Sequence, residues 1–265
     1  MVMLPKPELY SSQYGEWFQD PLVVEAYPYR PPYPSALIDH LAGLVQDMPR
    51  VVLDVGCGPG DIARPLAALV DRVDALDASA GMLDVGRAAA GGDAANLRWM
   101  LSRIEDAALE PPYALITAGE SLHWFEWDRV MPLFARLLTP RGTLAIVDRD
   151  WAGPPPLHER VLAVLKRFNL LGTWQNVNLL EELRTRNLFE PAGSRQFGPE
   201  PWQPTMEEYL LARHSQRSFS RTHMGASAVV EFDGALREAL VDVATVDGRL
   251  QLVASAKVCW GRPRG

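Results

Sequence analysis

Apolar residues fall along the first 150 positions in short runs that alternate with helical spacings. Val51, Val52, Leu53 and Val55 form a β-branched run broken only by Asp54, the pattern of a strand covered on both faces of a parallel sheet. Runs at 73–77, 97–101, 113–118 and 143–148 predict further strands, and periodicity over 61–70, 80–90 and 127–138 predicts helices between them. A helix beginning at Ser35, with Ser35 as its cap and Leu37, Ile38, Leu41, Leu44 and Val45 on its apolar side, leads into the first strand. IEDAAL, after the third strand, reads as a loop or a single turn. This alternation implies an α/β fold: a Rossmann-like, mostly parallel sheet with helices on both faces.

The rhythm changes on either side of that core. Residues 1–34 are aromatic and proline-rich and end in AYPYRPPYP, where prolines remove donors and hold their predecessors extended, so this part reads as a lid or arm. After Asp148, WAGPPP predicts a linker, 157–190 two helices, and 194–198 a short strand. TMEEYLLARHSQRSF and FDGALREALVDVA read as helices, and QLVASAKVCW as a last strand entered through the turn pair Asp247-Gly248. The expected division is an arm at 1–34, a core at 35–150, a helical cap with one core strand at 151–248, and a final core strand at 249–265.

The first strand runs straight into Gly56, Gly58 and Gly60, and then into a helix with Asp61 as candidate N-cap. Dinucleotide folds space their glycines G-x-G-x-x-G so that a helix N-terminus meets a pyrophosphate. Here the order is D-x-G-x-G-x-G, and the Asp54 carboxylate repels phosphate and suits an ammonium group. The second strand ends at Asp77, placed to accept both hydroxyls of a ribose. Together these point to an adenosyl ligand with an amino-acid end. A nicotinamide dehydrogenase is disfavoured by the glycine spacing.

RPPYP at 30–34, the glycine loop with Cys57, LDASAGML at 76–83, ITAGESLHWF at 116–125 and LLTPRGTLAIVD at 137–148 resemble the class I S-adenosylmethionine-dependent methyltransferases, specifically the small-molecule group called type 11. ESLHWF also resembles a segment of the trans-aconitate-type enzymes. The resemblance implies S-adenosylmethionine as cofactor, S-adenosylhomocysteine as product and an antiparallel last strand. It implies that Ala78, Ser79 and Met82 line the adenosine side, that Ile104 and Glu105 meet adenine, and that Ala118, Gly119 and Glu120 meet the methionine end. Arg103 departs from the family pattern, which has an acidic or small polar residue there.

Methyl transfer requires acceptor, methyl carbon and sulfur to be held in line and dry. An oxygen acceptor also loses a proton, and His123, just past the fourth strand, is the candidate base or orienting group, with a pocket wall formed with Trp124 as the alternative. Arg30 is placed to pair with the methionine carboxylate, with Tyr27 or Tyr33 closing over it. Arg213, Arg217 and Arg221 recur every four residues; the favoured reading is a solvated helix face, and the other an anionic-acceptor grip. Tryptophans 124, 127, 151, 174 and 202 would line an acceptor pocket or pack the cap. Acceptor oxygen or carboxylate is favoured over nitrogen or carbon, and a cofactor-binding cyclase or sensor is the rival reading.

The 265 residues carry 26 basic and 33 acidic side chains, a net charge of −7, which argues against a phosphate-neutralising nucleic-acid binder. Two cysteines make no disulfide framework, five histidines show no metal-ligand spacing, and no apolar stretch reaches the length of a membrane span. A small-molecule partner in the cytosol is expected, with no metal. The oligomeric state is open.

Overall fold

The computed structural model describes residues 6–170, 177–243, 245 and 247–265, without the side chains of Ser12 and Tyr14. In chain order its helices and strands are α1 (Pro21–Ala26), α2 (Ser35–Gly43), β1 (Val51–Val55), α3 (Ala63–Ala67), β2 (Arg72–Asp77), α4 (Ala80–Ala88), β3 (Leu97–Leu101), β4 (Tyr113–Gly119), α5 (Trp127–Leu137), β5 (Leu138–Ala152), α6 (Pro155–Phe168), α7 (Leu179–Thr185), β6 (Phe189–Trp202), α8 (Met206–His214), α9 (Arg221–Met224), α10 (Ala226–Leu240) and β7 (Leu252–Pro263). The sheet runs β3-β2-β1-β4-β5-β7-β6. β1 to β5 pair in parallel, and β7 is antiparallel to both β5 and β6.

Every residue of β1 is buried, as its uninterrupted apolar run requires of a central strand. One face of the sheet packs Leu37, Leu41, Leu66 and Leu83 from the helices against Val52, Val73 and Leu115. The other packs Val130, Met131 and Phe134 of α5 against Leu53, Ile116 and Ile146. A separate cluster, built on Leu157, Val161, Leu165, Tyr209, Phe232 and Leu236, joins α6, α8 and α10 above the C-terminal end of β5. Among the described residues no helix is long and apolar enough to cross a membrane.

Several expectations need correction. Ser35 is the first residue of α2 rather than its cap; Pro34 holds the cap position without a side-chain bond. α3 starts after Ile62, not at Asp61, and the Asp61 carboxylate binds arginines instead. The 194–198 strand is in truth 14 residues long. Its prolines hid it, and they are tolerated because β6 is the sheet edge, where one row of N–H groups needs no partner. The arm is more helical than its prolines suggested: residues 12–19 form a 3₁₀ stretch that leads into α1, capped by the Asp20 carboxylate. The helix expected over 205–219 ends at His214, whose ring contacts the carbonyl of Phe219, 2.7 Å away, as the chain folds back.

Candidate functional site

The parallel strands open their C-terminal ends toward the arm. Gly56, Gly58 and Gly60 all have left-handed φ, +63°, +55° and +77°. A Cβ on Gly56 would lie 2.5 Å from that of Ser121, whose hydroxyl donates to the Val55 carbonyl at 2.6 Å, so β1 and the loop after β4 meet only over a bare backbone. Asp77 ties this loop to the next: its Oδ2 accepts from the Gly58 N–H and its Oδ1 from the Ser79 N–H, each at 2.8 Å. Burial raises the Asp77 pKa, and those two amides oppose the rise.

These loops wall a cavity of about 140 Å³. Gly56, Gly58, Asp77, Ala78 and Met82 line one side, Ile104, Glu105, Gly119 and Trp124 another, and Phe18, Tyr27 and Arg30 come down from the arm and the segment that follows it. A small chamber behind Tyr27 is lined by Asp54, Cys57, Tyr33, Asp61 and Arg149. Asp54 is 2% exposed; its Oδ1 accepts from Thr117 at 2.7 Å, while its Oδ2 has no hydrogen-bond partner. Burial pushes this carboxyl up to about 7, against the Thr117 bond that lowers it, with Asp77 adding to the rise.

Sequence reasoning missed Arg149. Its guanidinium, 1% exposed, binds Glu120 at 3.1 Å, Asp61 at 3.2 Å and the Pro31 carbonyl at 2.7 Å, with the Tyr33 ring 4.4 Å away. Glu120 is held in left-handed conformation, φ +51°, by its N–H bond to Val147 and also faces Arg30 at 3.5 Å. Arg30 differs from expectation in one respect. Two of its nitrogens are engaged by the Ser215 hydroxyl and carbonyl, both at 2.8 Å, so it has no free fork for a bidentate carboxylate.

A second cavity, about 400 Å³, lies beneath α6 and α8. Phe18, Arg30, Glu120 and Trp124 line both cavities and form the wall between them. His123 faces the second, its ring 4.1 Å from Trp124 and 5.3 Å from Tyr10. Burial and the positive charges of Arg217, Lys6 and Arg30 push His123 down to about 3. Arg217 lies over the Trp124 ring at 4.8 Å and donates to the Leu9 carbonyl.

The remaining residues of the expected set divide between the cavities and the packed interior. Gly60 lines neither; its missing Cβ makes room for Trp99, which a Cβ would meet at 2.5 Å. Ser79 is the N-cap of α4, accepting from the Met82 N–H, and Ala118 is buried in the sheet core. Arg213, Arg217 and Arg221 share no helix face: they lie on α8, on the 3₁₀ turn 217–219 and on α9, and Arg213 and Arg217 line the second cavity while Arg221 lines neither. Of the tryptophans, Trp124 and Trp151 line the second cavity, Trp127 and Trp202 pack into hydrophobic clusters, and Trp174 lies outside the described residues.

The cradle fits an adenosyl amino acid: an orphaned carboxylate oxygen sits at the β1 tip, and a Cβ on Gly119 would strike Ile62 at 2.7 Å and Tyr33 at 3.0 Å where backbone must stay open. The profile of a methyltransferase domain matches residues 52–142. The chain is 29% identical to the malonyl-[acyl-carrier protein] O-methyltransferase of Pseudescherichia vulneris over 70% of each protein. It is 32% identical to the trans-aconitate 2-methyltransferase of Methylobacterium nodulans, over 47% of this chain and 53% of that one. A putative type II methyltransferase from Anaeromyxobacter dehalogenans superposes with a TM-score of 0.63 and 25% identity, covering 89% of this chain and 99% of that structure. A methyltransferase from Thiobacillus denitrificans, solved with S-adenosylhomocysteine, shares the fold at a TM-score of 0.53 and 13% identity, over 92% and 97% of the two chains. Residues 52–142 therefore form a methyltransferase domain, carried on the fold of the class I S-adenosylmethionine-dependent methyltransferases, whose cofactor is S-adenosylmethionine.

Proposed function

We propose that this enzyme methylates an oxygen, a carboxylate in preference to a hydroxyl, of a small organic acceptor bound in the 400 Å³ cavity beneath the arm (1–34) and the cap (151–248). The observation that carries the reading is the wall of Phe18, Arg30, Glu120 and Trp124 shared by the two cavities, which brings acceptor and cofactor chambers face to face. When bound, S-adenosylmethionine supplies an electrophilic methyl group on a sulfonium. In this assignment Asp77 accepts the ribose hydroxyls, Asp54 faces the ammonium, Ile104 and Met82 flank the adenine, and Arg149 supplies positive charge toward the carboxylate. The cytosol, where the two buried thiols Cys57 and Cys259 would stay reduced, is the proposed location.

The carboxylate preference rests on His123. A group with a pKa of about 3 has little drive to take a proton from a hydroxyl. A carboxylate needs no base, and a neutral imidazole seated against Trp124 and Tyr10 can donate one hydrogen bond to orient it. Two relatives support the choice through their names, one an O-methyltransferase of a malonyl carrier protein and the other a methyltransferase of trans-aconitate. The test is incubation with methyl-labelled cofactor and a panel of carboxylic acids, phenols and amines. Base-labile label on acids is expected; label confined to amines, or none at all from protein that binds S-adenosylhomocysteine, overturns the proposal.

A further inference from the structure

Arg213 is a buried cation of the acceptor cavity that forms no salt bridge among the described residues. It is 7% exposed, lines that cavity and does not line the cofactor cavity. Its Nε donates to the Tyr209 hydroxyl at 2.9 Å and its Nη1 to the Gln216 side-chain oxygen at 3.3 Å, both neutral partners. The rings of Trp151 and Tyr209 lie 5.1 and 5.0 Å from its carbon, and no carboxylate among the described residues comes within 4.0 Å. The other charges of the cavity are arranged differently: Arg30 and Glu120 face each other, Arg217 lies over the Trp124 ring and donates to the Leu9 carbonyl, Asp150 is exposed, and His123 is uncharged near neutral pH.

A guanidinium withdrawn from water and given only neutral partners is costly, and an anion that enters the cavity removes that cost. Trp151 fixes where the anion sits. Gly119 at the cofactor cavity pairs with Val147, and Trp151 is four residues further along β5, roughly 13 Å at 3.3 Å per residue. Arg213 itself lines the acceptor cavity alone, so an anion on it sits off the wall shared with the cofactor cavity. Leu157, Val161, Leu165 and Phe219 add apolar surface to the same cavity.

Accepting that this cavity is the acceptor site, we infer that Arg213 anchors a carboxylate remote from the atom that is methylated, so that the acceptor is an organic acid with an apolar body and a second oxygen group at its far end. Arg213 is then the specificity-determining residue, where sequence spacing alone favoured a solvated face over a grip on an anionic acceptor.

The test uses full-length protein loaded with S-adenosylhomocysteine and matched pairs of acids and their primary amides: hexanoate to decanoate, and 4-hydroxycinnamate. Calorimetry is expected to show acids binding at least tenfold tighter than amides. Arg213→Met should erase that discrimination while leaving amide affinity and S-adenosylhomocysteine affinity unchanged, and Arg213→Lys should retain part of it. The ligand-free Arg213→Met protein should melt at or above the wild-type temperature, because a buried unpaired charge has gone. Absence of acid selectivity in the wild type overturns the inference. So does selectivity that survives Arg213→Met, or a methionine variant that melts well below wild type, which would make Arg213 a structural residue. Discrimination that follows Arg213 while no acid takes up label leaves the anchor standing and removes the proposed transfer. Labelled acids whose KM is indifferent to Arg213→Met do the reverse.

Discussion

Cofactor binding should expel a proton from Asp54. The ligand-free carboxyl sits at about 7 because burial, with the nearby Asp77 and Asp61 charges, outweighs the Thr117 hydroxyl and the Ala63 amide that lower it, and its Oδ2 makes no well-formed hydrogen bond. An ammonium at that oxygen returns it toward the ordinary value near 4, a change of ~3 pH units or about 4 kcal/mol of coupling. At pH 6 the free protein then holds roughly 0.9 proton on Asp54 and the complex almost none; by pH 8.5 the difference is about zero. Titration calorimetry with S-adenosylhomocysteine at pH 6, in buffers of different ionisation enthalpy, reads the released proton directly as the slope of observed against buffer enthalpy. Asp54→Asn should flatten that slope. Stability carries the same sign: the folded value lies above the unfolded 3.8, so this group stabilises the ligand-free fold fully below about pH 4 and ceases to as pH climbs through 7. The wild type should therefore lose melting temperature relative to Asp54→Asn between pH 5 and 8. A buffer-independent binding enthalpy at pH 6 would refute the placement of an ammonium at Asp54.

Three further outcomes follow from individual contacts. Asp77→Asn turns one acceptor oxygen into a donor facing a backbone N–H, and should weaken S-adenosylhomocysteine binding roughly 100-fold, about 3 kcal/mol, by equilibrium dialysis; an unchanged Kd removes Asp77 from the site. His123→Gln, which keeps a neutral donor, should hold kcat within about threefold and leave the pH profile between 6 and 9 unaltered, whereas loss of a true base typically costs about 10²–10⁴. Gly60→Ala combines a left-handed φ with a 2.5 Å approach to Trp99 and should destabilise the fold by about 3 kcal/mol, seen as a lowered urea midpoint; a neutral effect would mean the loop relaxes freely.

The strands and the cofactor loops were legible because their signals are local. A run such as Val51–Val55 buries on both faces whatever surrounds it, and Asp77 follows its strand directly into the loop that it ties. Edge strand β6 was not legible beyond its middle, since Pro191, Pro199 and Pro201 argue against any strand unless its place at the rim is already known. Periodicity also misled at Arg213, Arg217 and Arg221: a four-residue spacing means a shared face only while the helix lasts, and the chain turns back after His214.

The charge network was beyond reach for a deeper reason. Arg149 meets Glu120 across 29 residues and Asp61 across 88, and Arg30 meets Ser215 across 185, so each partner is chosen by topology rather than by neighbourhood. Sequence pattern marked Arg30 and Glu120 as cofactor contacts and Asp61 as a cap, but gave no sign of Arg149 or of the pairing among them. The fold converts them because β5 runs past the end of β4 and carries Arg149 beneath the arm, where burial makes a lone guanidinium intolerable and two carboxylates settle around it. That arrangement joins arm, core and cap where the proposed assignment puts the cofactor's methionine end. Arg30 extends it, spanning from Glu120 to Ser215 on the segment just after α8. In the proposed assignment Arg30, which lines both cavities and shares Glu120 with Arg149, couples cofactor capture to the shape of the acceptor cavity.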